Sequence, residues 1–149
     1  MKTTNDSRTK AIAYWTITGL VAAAFVMGGI ADVTHPPNVA ATMKHLGYPL
    51  YLATLLGAWK LLGATALLAP RAPRLKEWAY AGMFFDLTGA AVSHAASGDG
   101  AAAIVTPLVV LGLVIASWRL RPASRALAAV EAAASPVPGR RVVDAAAAA

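Results

Sequence analysis

An all-α, four-helix transmembrane bundle is the fold class that three observations on this chain predict. Hydrophobic residues make up 58% of it and charged residues only 13%, a balance too apolar for an ordinary water-soluble domain. The charges cluster in short segments and separate four long apolar stretches of membrane length. Basic residues fall on alternate connections, the pattern that fixes orientation in a bilayer.

The four spans are expected over about residues 12–31, 50–69, 78–96 and 101–118. Each is close to the roughly 20 residues that cross about 30 Å of hydrocarbon at about 1.5 Å per residue. No water in the bilayer core satisfies backbone polar groups, so these stretches are expected as helices whatever their valine and isoleucine content. Lys2, Arg8 and Lys10 precede the first span, Arg71, Arg74 and Lys76 lie between the second and third, and Arg119, Arg121 and Arg125 follow the fourth. The opposite connections carry Lys44 as their basic residue. Both termini are therefore expected on the cytoplasmic side of a bacterial inner membrane, in a multi-pass protein. A cleaved signal peptide fits the first span poorly. Its apolar run exceeds the usual length of about 7–15 residues and ends in Gly28-Gly29-Ile30-Ala31-Asp32, without a small-x-small cleavage site.

The connections are readable too. After Pro36-Pro37, which forces an extended start, Val39, Met43 and Leu46 recur at helical spacing up to Gly47, so a short interfacial helix is expected between spans one and two. Ser97-Gly98-Asp99-Gly100 leaves room only for a tight turn and makes spans three and four antiparallel neighbours. Pro107 is expected to kink the fourth span or free the Ala103 carbonyl. The domain organisation is then a cytoplasmic lead over residues 1–11, a membrane domain over 12–120 and a low-complexity, disordered tail over 121–149.

Composition also excludes chemistry. The chain has no cysteine, so it cannot run thiol–disulfide exchange or hold an iron–sulfur cluster on thiolates. Its net charge of +6 is broken up by the apolar stretches and forms no continuous basic patch, which argues against nucleic acid as a partner. Three histidines, His35, His45 and His94, lie towards the outer side, but nothing in their spacing requires a metal, and no metal site is expected.

The informative residues are ionisable groups inside the spans. Lys60 lies near the middle of span two and Asp86 near the middle of span three, where a lone charge costs at least about 2.5–3.5 kcal/mol to insert. Counted from the inner ends of their spans, both lie about 13 Å deep at about 1.5 Å per residue. They are level, so an ion pair between adjacent antiparallel helices is expected. Ala90, Ser93, His94 and Ser97 share a helix face with Asp86. That face is expected to line a cavity open to the outer side, with Asp86 at its floor, His94 nearer the mouth, and Asp32 and Asp99 beside the mouth. A plainer alternative is that the Lys60–Asp86 pair only fixes helix register. Glu77 and Trp78 read as interfacial anchors, and the many glycines as close-packing positions.

Several of these residues carry a family likeness. Trp59-Lys60-Leu61-Leu62-Gly63-Ala64 with Ala69-Pro70, then Leu75-Lys76-Glu77-Trp78-Ala79-Tyr80-Ala81-Gly82-Met83-Phe84-Phe85-Asp86, and Ser93-His94 to Gly98-Asp99, resemble the DoxX-like family of small bacterial membrane proteins over about residues 12–120. The resemblance implies a four-helix transmembrane fold. The wider DoxX group is associated with a thiosulfate:quinone oxidoreductase and with membrane redox complexes, and the resemblance is compatible with a quinone or another lipophilic small molecule held in the bundle, without fixing a cofactor.

Three functional classes follow. In the first, a lipophilic small molecule, quinone-like or a biosynthetic substrate, sits between the helices. Lys60 and Asp86 hold or polarise its carbonyl or phenol, His94 exchanges protons with the outer face, and the neighbouring Trp59 and Ser93 contact the ligand. The second is a proton-coupled transporter, dimeric or larger, although the halves show no inverted repeat. The third is a structural subunit that recruits a soluble or redox partner through Arg71, Arg74 and Lys76. Whether the chain is catalytic is not decided by its sequence.

Overall fold

The computed structural model describes residues 2–122 and 125–126, with side chains from residue 8 onward. The low-complexity tail expected over 121–149 therefore lies outside the described residues, apart from residues 121, 122, 125 and 126. All regular structure among the described residues is helical: α1 (Lys2–Thr34), α2 (Pro37–His45), α3 (Leu50–Leu68), α4 (Pro73–Ala96) and α5 (Ala101–Leu120). Three of these hold segments long and apolar enough to cross a membrane, Arg8–Thr34, Leu50–Leu68 and Ala101–Leu120. α4 has the length, but Asp86, Thr88, Ser93 and His94 dilute its apolar content.

Helix ends follow from local chemistry. Neither proline nor glycine interrupts the basic lead, so it continues unbroken into the apolar part of α1. Pro37 and Pro73 occupy first-turn positions of α2 and α4, where the missing N–H is no loss. Gly47 and Gly98 adopt φ of 76° and 74° just beyond α2 and α4, the left-handed conformation that glycine takes without a Cβ penalty. At each, two backbone bonds close the end: Gly47 N to Lys44 O with Tyr48 N to Met43 O, and Gly98 N to Ala95 O with Asp99 N to His94 O. The second turns Asp99 back beneath its own helix. α5 runs unbroken through Pro107, which lines a cavity described below.

α1 packs against α3 and α5, α4 packs against the same two helices, and α2 rests on α3. The tightest seam joins α1 and α3 at Gly29 and Gly57. A Cβ on Gly57 would come within 2.7 Å of the Gly29 carbonyl oxygen and 2.9 Å of the Asp32 Cβ, so only glycine permits this approach. Val21, Phe25, Leu67, Tyr80, Met83, Leu87, Leu111 and Val114 form the core. Near the end opposite α2, Ser117 Oγ hydrogen bonds to Thr18 Oγ1 at 2.7 Å and to Tyr80 Oη at 2.8 Å, tying α5 to α1 and α4. Such bonds hold helices together where burying apolar surface gives little preference for one partner over lipid.

Lys76 corrects its reading as a residue of a basic loop. Because α4 begins at Pro73, Lys76 is already helical and only 1% exposed. Its Nζ donates to the carbonyls of Ala66, Leu67 and Ala69, closing the C-terminus of α3. A cation there satisfies carbonyls that the helix leaves open and complements its dipole. Buried in this way, it cannot serve in a docking surface with Arg71 and Arg74.

Candidate functional site

The Gly29–Gly57 contact sets the register of α1 on α3, and that register decides what Lys60 meets. Asp32 lies one turn beyond Gly29 and Lys60 one turn beyond Gly57, running in opposite directions from neighbouring points. Lys60 Nζ donates to Asp32 Oδ2 at 2.7 Å and lies 3.7 Å from Asp86 Oδ2. Lys60 and Asp86 are thus together, as their depth suggested, but the closer carboxylate is Asp32. Asp32, expected beside the mouth at the outer end of span one, lies in the last turn of α1, which continues to Thr34, and pairs with Lys60. The side chains are partly enclosed, with 22%, 13% and 17% exposure for Lys60, Asp32 and Asp86. One ammonium against two carboxylates gives the cluster a formal charge of −1 when all are ionised. That excess favours a proton, a hydrogen-bond donor or a cation beside it.

Two cavities meet at this cluster. The first, about 490 Å³, lies between α1, α4 and α5 and is lined by Phe25, Gly28, Lys60, Asp86, Ala90, His94, Thr106 and Pro107 among others. The small residues Gly28, Ala90 and Ala103 on its walls leave the space open. The second, about 470 Å³, lies between α3 and α4 and is lined mainly by apolar groups, including Trp59, Leu62, Trp78, Met83 and Phe85, with Lys60 and Asp86 again on its wall. Both volumes fall within the roughly 300–1,000 Å³ of small-molecule sites. Lys60, Asp86 and Phe25 border both cavities.

Towards α2, the first cavity ends at a hydrogen-bonded chain. His94 Nδ1 and His45 Nε2 each lie 2.7 Å from one oxygen of Asp99. Bonds from His94 and His45 hold the Asp99 carboxyl below its ordinary pKa. His94 faces the cavity, whereas the His45 side chain is 54% exposed. The chain therefore runs from the first cavity to the exposed His45. Sequence reasoning placed His94, Asp99 and His45 on this outer side, without fixing which histidines bond Asp99; the structure puts His94 and His45 there and not His35. Beside them, Tyr48 Oη meets Ser93 Oγ at 2.9 Å, and Ser93 Oγ donates to the Gly89 carbonyl. Ser93 thus bonds to the loop before α3, apart from the residues lining the cavity, and Trp59 borders the second cavity rather than the first.

The other expected residues are dispersed. His35 Nε2 pairs with Thr54 Oγ1 at 2.8 Å. Among the described residues no group of three or more histidine, cysteine or acidic side chains is arranged to hold a metal. Glu77, read as an anchor, accepts from Trp118 Nε1 at 3.1 Å and from Arg121 Nη2 at 2.6 Å.

A family model described as the DoxX-like family matches residues 16–117. No curated protein and no solved structure matches the chain.

Proposed function

The chain belongs to the DoxX-like family, and from that premise we propose a four-span inner-membrane protein, both termini cytoplasmic, that holds a lipophilic small molecule between its helices. α4 suits a fourth span because Asp86 and His94, its ionisable groups at mid-span and near its outer end, line the first cavity. Its outer face carries Trp78, Phe85 and Val92, exposed by 78%, 71% and 66%, which in water would be costly and in lipid is the expected state. The basic connections between α3 and α4 and after α5 support the cytoplasmic placement of that end.

The observation that carries the binding reading is the position of Lys60 and Asp86 on the common wall of two cavities. The α3–α4 cavity offers an apolar bed, with Trp59 along it, to the body of the ligand. Lys60 donates to a ligand carbonyl or phenolate oxygen, and Asp86, at the longer 3.7 Å separation from Nζ, accepts or returns a proton. His94 passes protons between the first cavity and the surface through Asp99 and His45. Ser93, through Tyr48, steadies the mouth. With no cysteine in the chain, thiol redox chemistry is closed to its side chains, and the ligand class that fits is a quinone-like molecule or a lipophilic biosynthetic substrate. Purification in mild detergent followed by mass spectrometry of co-extracted quinones and lipids tests this reading. An enriched molecule lost on Lys60→Met supports it; no enrichment, or retention in Lys60→Met, overturns it.

One observation favours a second reading, proton-coupled transport. Lys60 stands between two carboxylates at unequal distances with space on either side, an arrangement suited to alternate pairing. Proteoliposome flux abolished by Asp86→Asn would support transport, and flux indifferent to it would reject it.

A further inference from the structure

The cavity between α3 and α4 has a closed floor and an open rim. Phe25, Ala66, Ala79 and Met83 on its wall are buried, whereas Trp59 and Leu62, which line it too, are exposed by 63% and 59%, and Trp78 and Phe85 further still. A space walled in this way is a groove on the flank of the bundle, where a membrane helix meets hydrocarbon. Along α4 it runs from Leu75 to Asp86, roughly 16 Å at about 1.5 Å per residue. Two glycines keep it wide. A Cβ on Gly82 would meet nothing within 4 Å, and one on Gly63 would meet only the Met83 Cε, at 3.5 Å. Unlike Gly29 and Gly57, these are not points of close helix contact; what their missing side chains provide is volume.

The groove is apolar along its length and charged at one end, where Lys60 and Asp86 stand on its wall. Lys60 gives its 2.7 Å bond to Asp32, and its Nζ lies 3.7 Å from Asp86 Oδ2, too far for a hydrogen bond. Asp86 is therefore an acceptor that Lys60 does not satisfy, and the Lys60 ammonium, with three hydrogens, has donors to spare. A ligand carbonyl accepts from Lys60 but offers nothing to Asp86. A hydroxyl serves both, accepting from one and donating to the other.

We propose that the α3–α4 groove admits its ligand sideways from the hydrocarbon of the bilayer and selects a molecule with an elongated apolar body and a hydroxyl head, a phenol or an alcohol. The body lies along the groove past Gly63 and Gly82, and the hydroxyl bridges Lys60 and Asp86. This rests on the reading that Lys60 belongs to a ligand site, and it narrows that reading to one way in and one kind of head. The first cavity, with His94 on its wall, stays free for the exchange of protons with the outer side.

The test presents the full chain, in mild detergent, with equal amounts of para-dodecylphenol and its methyl ether, which differ in the hydroxyl donor, and reads the bound molecule by native mass spectrometry. The phenol should be retained about tenfold over the ether, and Asp86→Asn should cut that preference severalfold. Gly82→Leu, which has room for its side chain and fills the groove, should lower retention of the phenol about tenfold, and Gly63→Leu repeats the block from the facing helix should Gly82→Leu not fold. Gly112→Leu, an equally open glycine on α5 that lines neither cavity, should change nothing. Equal retention of phenol and ether, or an undiminished preference in Asp86→Asn, would overturn the choice of head. Undiminished binding in folded Gly82→Leu and Gly63→Leu, or loss in Ala103→Leu of the first cavity with binding kept in Gly82→Leu, would overturn the groove. In that event a co-extracted molecule still lost on Lys60→Met would leave the ligand site standing without this way in.

Discussion

Lys60 and Lys76 are both drawn away from water, and they are held by opposite means. Lys76, at the end of α3, is 1% exposed and is held by backbone carbonyls. Lys60, within α3, is held by two carboxylates whose combined charge exceeds its own, and it borders two cavities. The first arrangement closes a helix and is complete without anything else. The second leaves both charge and volume unanswered. A buried ammonium is therefore not in itself the mark of a site; surplus counter-charge beside open space is the better mark.

The contrast can be broken most forcefully at Lys76. Lys76→Met should leave the last carbonyls of α3 without their donor and lower stability by about 1.5–3 kcal/mol, seen as a fall in the thermal midpoint in detergent, while the fraction that stays folded keeps its ligand. A ligand lost in step with Lys76 would remove the distinction between the two lysines. Somewhat less is expected from Gly57→Ala, whose new Cβ meets the Gly29 carbonyl and Asp32. Overpacking of this kind costs about 1–3 kcal/mol. Because the same seam places Asp32 on Lys60, ligand retention should fall with it, and a stable variant with unchanged retention would show that the seam does not set the site.

The carboxylates sharpen the comparison further. Asp32→Asn removes the 2.7 Å partner of Lys60 but restores formal neutrality to the cluster with Asp86, so the protein should fold with a change in thermal midpoint smaller than that of Lys76→Met. A larger fall would make the Lys60 cluster the main structural support. The smallest effect belongs to Asp99. Its lowered pKa means that its bonds to His94 and His45 stabilise the fold fully above the ordinary carboxylate value of about 3.9 and lose that effect as pH falls through the depressed value. The difference in thermal midpoint between the natural chain and Asp99→Asn should hold down to about pH 5 and shrink below about 3.9. A difference that grows as pH falls below about 3.9 would contradict the bonding seen here.

Much of this was legible in the sequence. Apolar runs of membrane length gave α1, α3 and α5, and helical periodicity after Pro36-Pro37 gave α2. Depth counting brought Lys60 to Asp86, and the 3.6-residue repeat put Asp86, Ala90 and His94 on one cavity wall. What sequence could not supply was the register between helices. Asp32 joins Lys60 because two glycines let α1 and α3 touch, and the glycine stripe did not say which pair meets. Lys76 was misread because counting basic residues cannot tell a loop lysine from one in the first turn of a helix, within reach of the preceding helix end.

The central claim, that Lys60 belongs to a ligand site and Lys76 to the scaffold, is tested most directly by one paired measurement: the amount of co-extracted lipophilic molecule per folded chain in Lys60→Met and in Lys76→Met. The account predicts loss of the molecule in Lys60→Met and retention at the level of the natural chain in Lys76→Met. Retention in Lys60→Met would contradict it.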